Sequence, residues 1–157
     1  MGPHWNPAAT EVSVVLEGEG MRQVICPSVL GNKECRTARI RVEEGDVFTV
    51  PRFHPMAQTS FNNGSFVFMG FSTSSKKNHP QFLAGKASVL QALDKVVLGE
   101  AFNVSERMVD QLLAAQSESI ILGCTSCAEE QEMVMEEEIE RERRKREEEK
   151  ARRREEE

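Results

Sequence analysis

The sequence lacks several features that would point to particular classes of protein. No apolar stretch approaches the ~18 residues that a membrane-spanning helix needs. No basic patch marks a nucleic-acid surface, because the first 128 residues carry 12 acids against 11 bases. The residues after Met1 show no basic run followed by an apolar run, the pattern of a secretory signal. We therefore expect neither a membrane nor nucleic acid as a partner.

Charge is concentrated at the carboxyl end. Residues 129–157 hold 14 acids and 9 bases, and past Met135 nearly the only apolar residues are Ile139 and Ala151. Acid-to-base pairs recur there at i,i+4, a spacing that supports a helix, but no heptad seam exists. We expect a solvated single helix or a disordered charged tail rather than a specific partner site.

The four cysteines fall into two close pairs. Cys26 and Cys35 bracket a Pro/Gly/Asn segment between two strand-like runs, which suits a hairpin-closing disulfide, with reduced thiols as the alternative. Cys124 and Cys127 have the spacing of a redox or half-zinc motif. No second pair or nearby histidine completes four ligands, so we expect neither role.

Strand patterns fill the first half of the chain. Apolar and polar residues alternate, and turn residues separate the runs. Residues 11–26 and 56–71 each predict a hairpin, around Gly18–Gly20 and Asn62–Gly64, and further strands are predicted at 38–42 and 47–50. Short strands at this spacing indicate an all-β sandwich or barrel.

The period changes after Pro80. Apolar residues from Val89 to Val97 recur at three and four, which predicts an amphipathic helix of about three turns. A second helix is predicted to begin at Ser105, an N-cap residue, with Val109, Leu112 and Leu113 on its buried face. These helices are expected to pack on the strands or on a neighbouring subunit.

Two stretches carry the residues most relevant to chemistry, and they resemble the two signature motifs of the cupin superfamily. The first motif has two histidines, a glutamate and a glycine, and here those positions hold His4, Asn6, Glu11 and Gly18. The second runs from glycine to proline, then to a glycine and a histidine, and here holds Gly45, Pro51, Phe53 and Met56. The resemblance implies a cupin barrel, the double-stranded β-helix or jelly roll.

In metal-binding cupins three histidines and the glutamate hold one ion inside the barrel. Imidazole and carboxylate suit manganese, iron or copper, and an open coordination position makes the ion a catalyst. Here only His4 and Glu11 remain, since Asn6 is a poor ligand and the Met56 thioether favours only soft copper. His54 lies two residues before the usual slot. We expect no catalytic residues, no metal and no cofactor.

The resemblance extends to vicilin-type seed storage globulins, and specifically to part of their second barrel with its helical arm. It covers residues 1 to about 122 and rests on Pro3–Asn6, Ala9–Glu11, Val15–Gly20, Val47–Pro51 with His54-Pro55, Phe82–Lys86, Leu93–Val104 and Glu118–Ile120. It implies a partial barrel at 1–80, incomplete at its amino end, a helical extension at 81–122 and a charged tail at 123–157. The family also implies a homo-oligomer, a trimer, in the storage vacuole or secretory pathway.

Two sequons, at Asn63 and Asn103, are possible glycosylation sites. The leading hypothesis for function is a seed storage protein, a nutrient reservoir without catalytic activity. The alternatives are a vicilin-like protein that binds a sugar or acts against microbes, and a metal-dependent cupin oxidase or dioxygenase.

Overall fold

Strands occupy the first half of the chain and helices the second. The computed structural model describes residues 1–27, 37–62, 64–74 and 78–155. The strands are β1 His4–Trp5, β2 Glu11–Gly18, β3 Gly20–Val24, β4 Ala38–Val42, β5 Val47–Val50, β6 Met56–Ser60, β7 Phe66–Ser72 and β8 Gln81–Phe82. A 3₁₀ helix at Val89–Ala92 precedes α1 Lys95–Phe102, α2 Glu106–Ala115 and α3 Cys127–Glu155.

The strands form two antiparallel sheets with side chains packed between them. One sheet has the order β4-β3-β6-β1-β8, and the other has the order β5-β2-β7. Arg22 of β3 reaches across from the first sheet and lies over the ring of Phe48 in the second. The two sheets are not joined into a closed barrel, which agrees with the expectation of an incomplete one.

Both predicted hairpins are wrong. β2 pairs with β5 and β7, whereas β3 pairs with β4 and β6, so β2 and β3 lie in opposite sheets. β6 and β7 are divided in the same way. The corner at Gly18 explains the first case, because its φ is +79° and an added Cβ would lie 1.9 Å from the Ser65 carbonyl oxygen. The sequence correctly predicts a bend at Gly18. A bend alone does not decide whether the next strand pairs with the preceding one or joins the opposite sheet.

The predicted helix over Val89–Val97 is broken into two elements. The 3₁₀ helix ends at Ala92, and Asp94 begins α1 by accepting a hydrogen bond from the Val96 backbone N–H. An aspartate at an N-cap favours a new start over a continuous helix. The second helix begins where predicted, since the Ser105 hydroxyl accepts from the Met108 N–H. Its predicted buried face is wrong at Leu112, which is exposed, whereas Val109 is buried.

The first half of α3 packs on the outer face of the larger sheet, contrary to the expectation of a wholly solvated tail. Ala128 is fully buried in a cluster with Met21 and Phe61, and Met135 packs against that cluster. Residues 129–138 contain six acids and no base. These acids meet arginines of β4, through the pairs Glu132–Arg41 at 2.6 Å and Glu138–Arg39 at 2.7 Å.

The second half of α3 has only internal ion pairs among those found in the described part of the chain. Three predicted i,i+4 pairs are present: Glu140–Arg144, Glu142–Arg146 and Glu149–Arg153. Its charge pattern explains the difference between the halves, because residues 139–157 carry eight acids and nine bases. The acidic half therefore pairs with arginines of β4, and the balanced half forms ion pairs within the helix.

Cys124 and Cys127 form a disulfide at the start of α3. The proposed Cys26–Cys35 bond and the Asn63 sequon lie outside the described residues, because Cys35 and Asn63 do. Asn103 is exposed at the end of α1, so its sequon stays a prediction. Within the described ranges, no helix combines the length and apolar character needed to span a bilayer.

Candidate functional site

The four degenerate metal positions lie together between the two sheets. His4 of β1 and Met56 of β6 are neighbours in register in the larger sheet. Glu11 opens β2 in the smaller sheet, and Asn6 follows β1, close enough to donate from its amide to Glu11 Oε2 at 2.9 Å. The motif spacing therefore identified a real cluster of side chains, drawn from both sheets.

His54 and Phe53 belong to the turn that precedes β6. The His54 ring lies 3.1 Å from the Arg52 carbonyl oxygen in an exposed contact, and β6 begins only at Met56. Phe53 occupies the position of the motif glycine and has a φ of +64°, a left-handed conformation that glycine adopts without strain. The backbone bend of the second motif is thus kept although its glycine is not.

The carboxylate of Glu11 is held on both oxygens by neutral donors. Asn6 donates to Oε2, and the Ser13 hydroxyl donates to Oε1 at 2.7 Å. Gly70 of β7 lies opposite, where an added Cβ would come within 3.1 Å of the Ser13 hydroxyl. Asn78 donates in turn to the Asn6 side-chain oxygen at 2.8 Å. Asn6 therefore acts as a link in a hydrogen-bond chain.

His4 is buried and neutral. Its Nδ1 lies 2.8 Å from the Gly2 carbonyl oxygen, which can only accept, so Nδ1 carries the proton. Burial lowers the pKa of His4, although the Gly2 hydrogen bond and the charge of Glu11 act in the opposite direction. The ring packs against Phe82 with the ring centres 5.1 Å apart. Nε2 has no hydrogen-bond partner among the described residues and is left as an acceptor.

Arg22 is the cation of this site, and sequence reasoning missed it. It is 1% exposed, its guanidinium lies 3.2 Å above the centre of the Phe48 ring, and NH2 donates to the Met56 sulfur at 3.0 Å. Burial lowers the pKa of Arg22 to about 10, and the charge of Glu11 opposes that shift. The guanidinium is therefore still protonated at neutral pH.

Two buried polar atoms, one in Arg22 and one in its cross-strand neighbour Gln58, have no hydrogen-bond partner among the described residues. They are Arg22 Nε and the side-chain oxygen of Gln58. An unpaired buried polar group costs about 1–3 kcal/mol. The interior is thus arranged around a charge at some cost in stability.

The residues present do not fit a cupin metal ion. Asn6 directs its N–H donor at Glu11, and the Met56 sulfur accepts from a guanidinium. Across the described residues, no group of three or more histidine, cysteine, aspartate and glutamate side chains could hold one ion. That no metal binds stays a prediction, and it rests on the chemistry of these donors.

A cavity of about 230 Å³ adjoins the site. His4, Glu11 and Asn78 contribute polar atoms to it, and Phe68 and Phe82 contribute apolar walls. It is smaller than the roughly 300–1,000 Å³ of pockets for drug-sized ligands, so only a small molecule fits.

The local sequence of β3 explains why Arg22 was missed. Met21 suggests an inward position and Arg22 an outward one, but both are fully buried. Met21 lies under α3 on the outer face, and Arg22 points between the sheets. A strand covered on both faces loses the alternation that tells inside from outside.

Comparison with known proteins identifies the family. A family profile described as Cupin matches residues 1–110. A vicilin-like seed storage protein of Arabidopsis thaliana is 58% identical over 131 residues, which cover 82% of this chain and 25% of that protein. The chain belongs to the cupin family, among its vicilin-like members. It spans about a quarter of the length of that relative.

Solved structures agree with the fold of this vicilin-like cupin. The vicilin of Corylus avellana (hazelnut) matches with a TM-score of 0.69 and 29% identity, over 78% of this chain and 35% of that one. A vicilin of Solanum melongena, described with different anionic ligands in structurally similar pockets, matches with a TM-score of 0.68 and 26% identity, over 78% and 33%. The predicted cupin fold, incomplete as a barrel and followed by helices, is confirmed.

The lowered pKa of His4 predicts a specific loss of stability in acid. The unfolded chain protonates this ring near pH 6.5 and the folded chain only at lower pH, so protonation favours unfolding. The contribution is complete above about pH 6.5 and is lost as the pH falls. Between pH 7.5 and 5.5 the wild type should lose up to about 1.4 kcal/mol more unfolding free energy than His4→Asn, which keeps a donor near Nδ1. Urea unfolding monitored by circular dichroism measures this.

The matched control is His79→Asn, a change at an exposed histidine, which should keep the wild-type pH dependence. Equal pH dependence in the wild type and His4→Asn would contradict a buried neutral His4.

Proposed function

We propose that this protein is a vicilin-like seed storage protein, a nutrient reservoir without catalytic activity. The observation that carries the proposal is the 58% identity to a vicilin-like seed storage protein across 82% of the chain. The site supports it, because Asn6, Met56 and Arg22 stand where a catalytic cupin would need metal ligands and an open coordination position. The family points to a storage vacuole reached through the secretory route.

The test is the abundance of the protein through the life of the seed. Peptides unique to this chain, quantified by mass spectrometry, should rise to bulk levels during seed development and fall during germination. A reserve is used up because its value lies in its nitrogen and carbon, whereas an enzyme is kept at working levels. Low and constant abundance in leaves and seeds alike would overturn the proposal.

As part of this function we propose that the chain assembles with copies of itself, as a trimer by family resemblance. Support comes from apolar side chains exposed on the helical arm, including Val96 and Val97 on α1 and Met108 and Leu112 on α2. Met108 and Leu112 are four residues apart and share one face of α2. Exposed apolar patches of this kind mark protein interfaces.

Replacing Leu112, which is 63% exposed, should weaken that assembly. By light scattering, the wild type should have a multiple of the 17.7 kDa chain mass, and Leu112→Glu should shift the population toward monomer because a charge cannot be buried unpaired. Gln111→Glu adds the same charge to the neighbouring exposed position and should leave the mass unchanged. A monomeric wild type, or a Leu112→Glu variant of unchanged mass, would count against the proposal.

The cavity favours a second candidate function, the binding of a small sugar or polyol. His4 Nε2 and the Glu11 carboxylate are acceptors suited to hydroxyl donors, and Phe68 and Phe82 offer apolar walls.

Calorimetric titration with glucose and sucrose tests the second candidate. Glucose should give saturating heat in the millimolar range that His4→Phe abolishes, since phenylalanine keeps the packing on Phe82 but removes the acceptor. Sucrose should bind more weakly because the cavity holds only about 230 Å³. Absence of heat with both sugars would reject this candidate and leave the storage proposal untouched.

A further inference from the structure

Arg22 is buried between the two sheets. It starts in β3 of the larger sheet, and its guanidinium stacks on Phe48 of the smaller one. Strand register places Arg22 opposite Gln58 of β6. Gln58 lies two residues after Met56 in β6, so both side chains are on the same face of the strand. The Arg22 side chain therefore bridges the two sheets beside the degenerate metal positions.

The guanidinium lies against the atom that replaces the fourth metal ligand. Arg22 NH2 is 3.0 Å from the Met56 sulfur. The Met56 sulfur is thus engaged by a cationic donor. A divalent cation held at this ligand position would lie within a few ångströms of the guanidinium charge, and that repulsion disfavours its binding.

The charges of Glu11 and Arg22 give a second reason to compare the guanidinium with a metal ion. Glu11 is the acid of the first motif, and its charge opposes the lowering of the Arg22 pKa that burial causes. A carboxylate in a barrel interior needs a nearby positive charge to offset its desolvation. Asn6 and Ser13 give Glu11 hydrogen bonds but no charge.

We propose that the guanidinium of Arg22 replaces the metal ion of the cupin site: it supplies the positive charge that balances Glu11 and excludes divalent cations from the barrel. A planar guanidinium suits this role better than an ammonium, because it stacks flat on Phe48 while its N–H groups reach the sides. This inference concerns what the barrel interior holds and is independent of the storage role.

Restoring the ligands with and without the arginine tests the proposal directly. Asn6→His/Met56→His completes three histidines and Glu11 but keeps Arg22. Adding Arg22→Met removes the charge and keeps an unbranched apolar side chain. The triple variant should bind about one equivalent of Co²⁺ with a visible d–d absorption band. The double variant should bind at least about 100-fold more weakly, since like charges a few ångströms apart repel strongly in a protein interior.

Cobalt titration by absorption and calorimetry gives both affinities, and inductively coupled plasma mass spectrometry gives the stoichiometry. If the double variant bound Co²⁺ with an affinity within tenfold of that of the triple variant, the proposal would be overturned. Arg22→Lys in place of Arg22→Met is the charge control, and it should leave the site as closed to Co²⁺ as Arg22 does.

A second measurement needs no rebuilt metal site. Glu11→Gln should lower the urea midpoint less in an Arg22→Met background than in the wild type, because the charge that Glu11 balances is already gone. The matched control cycle replaces Arg41, an exposed arginine on the outer face, with methionine. The effects of Arg41→Met and Glu11→Gln on the urea midpoint should be additive. Additive behaviour in the Arg22 cycle, or failure of Arg22→Lys to fold better than Arg22→Met, would contradict a charge-balancing role.

Discussion

One contact organises the interior of this protein: the guanidinium of Arg22, held between the ring of Phe48 and the sulfur of Met56. It links the two sheets where their inner faces meet. Because a buried charge needs compensation, it constrains the nearby polar groups, and Glu11 provides the opposite charge. Asn6 and Ser13 then fix the Glu11 carboxylate through both oxygens.

This protein keeps the cupin fold without the full set of ligands that a catalytic metal needs. The turns of both motifs persist, with Gly18 and Gly45 at positive φ and Phe53 bent in the same sense without being a glycine. Two of the four ligand positions do not persist, because Asn6 donates to Glu11 and Met56 is an acceptor for arginine. A reserve protein needs only a stable fold that assembles, so an interior balanced by its own side chains is sufficient for the proposed role.

Sequence was informative where one physical effect dominated. Alternation located β2 and β4, Ser105 marked the start of α2, and motif spacing predicted the cluster of His4, Asn6, Glu11 and Met56. It failed where two effects competed. The glycines at 18–20 specify a bend, but only packing decides that the next strand joins the opposite sheet. Met21 and Arg22 are both buried because α3 covers the outer face, and nothing local announces that the acidic half of α3 docks on Arg39 and Arg41.

The metal content of the purified wild-type chain tests most directly the claim that a side chain has taken the place of the ion. The protein would be produced with manganese, iron, copper and zinc in the medium, dialysed without chelator and measured by inductively coupled plasma mass spectrometry. The account predicts well below one equivalent of every metal, with Glu11→Gln no different. One equivalent of any of the four, retained through dialysis and lost on Glu11→Gln, would contradict it.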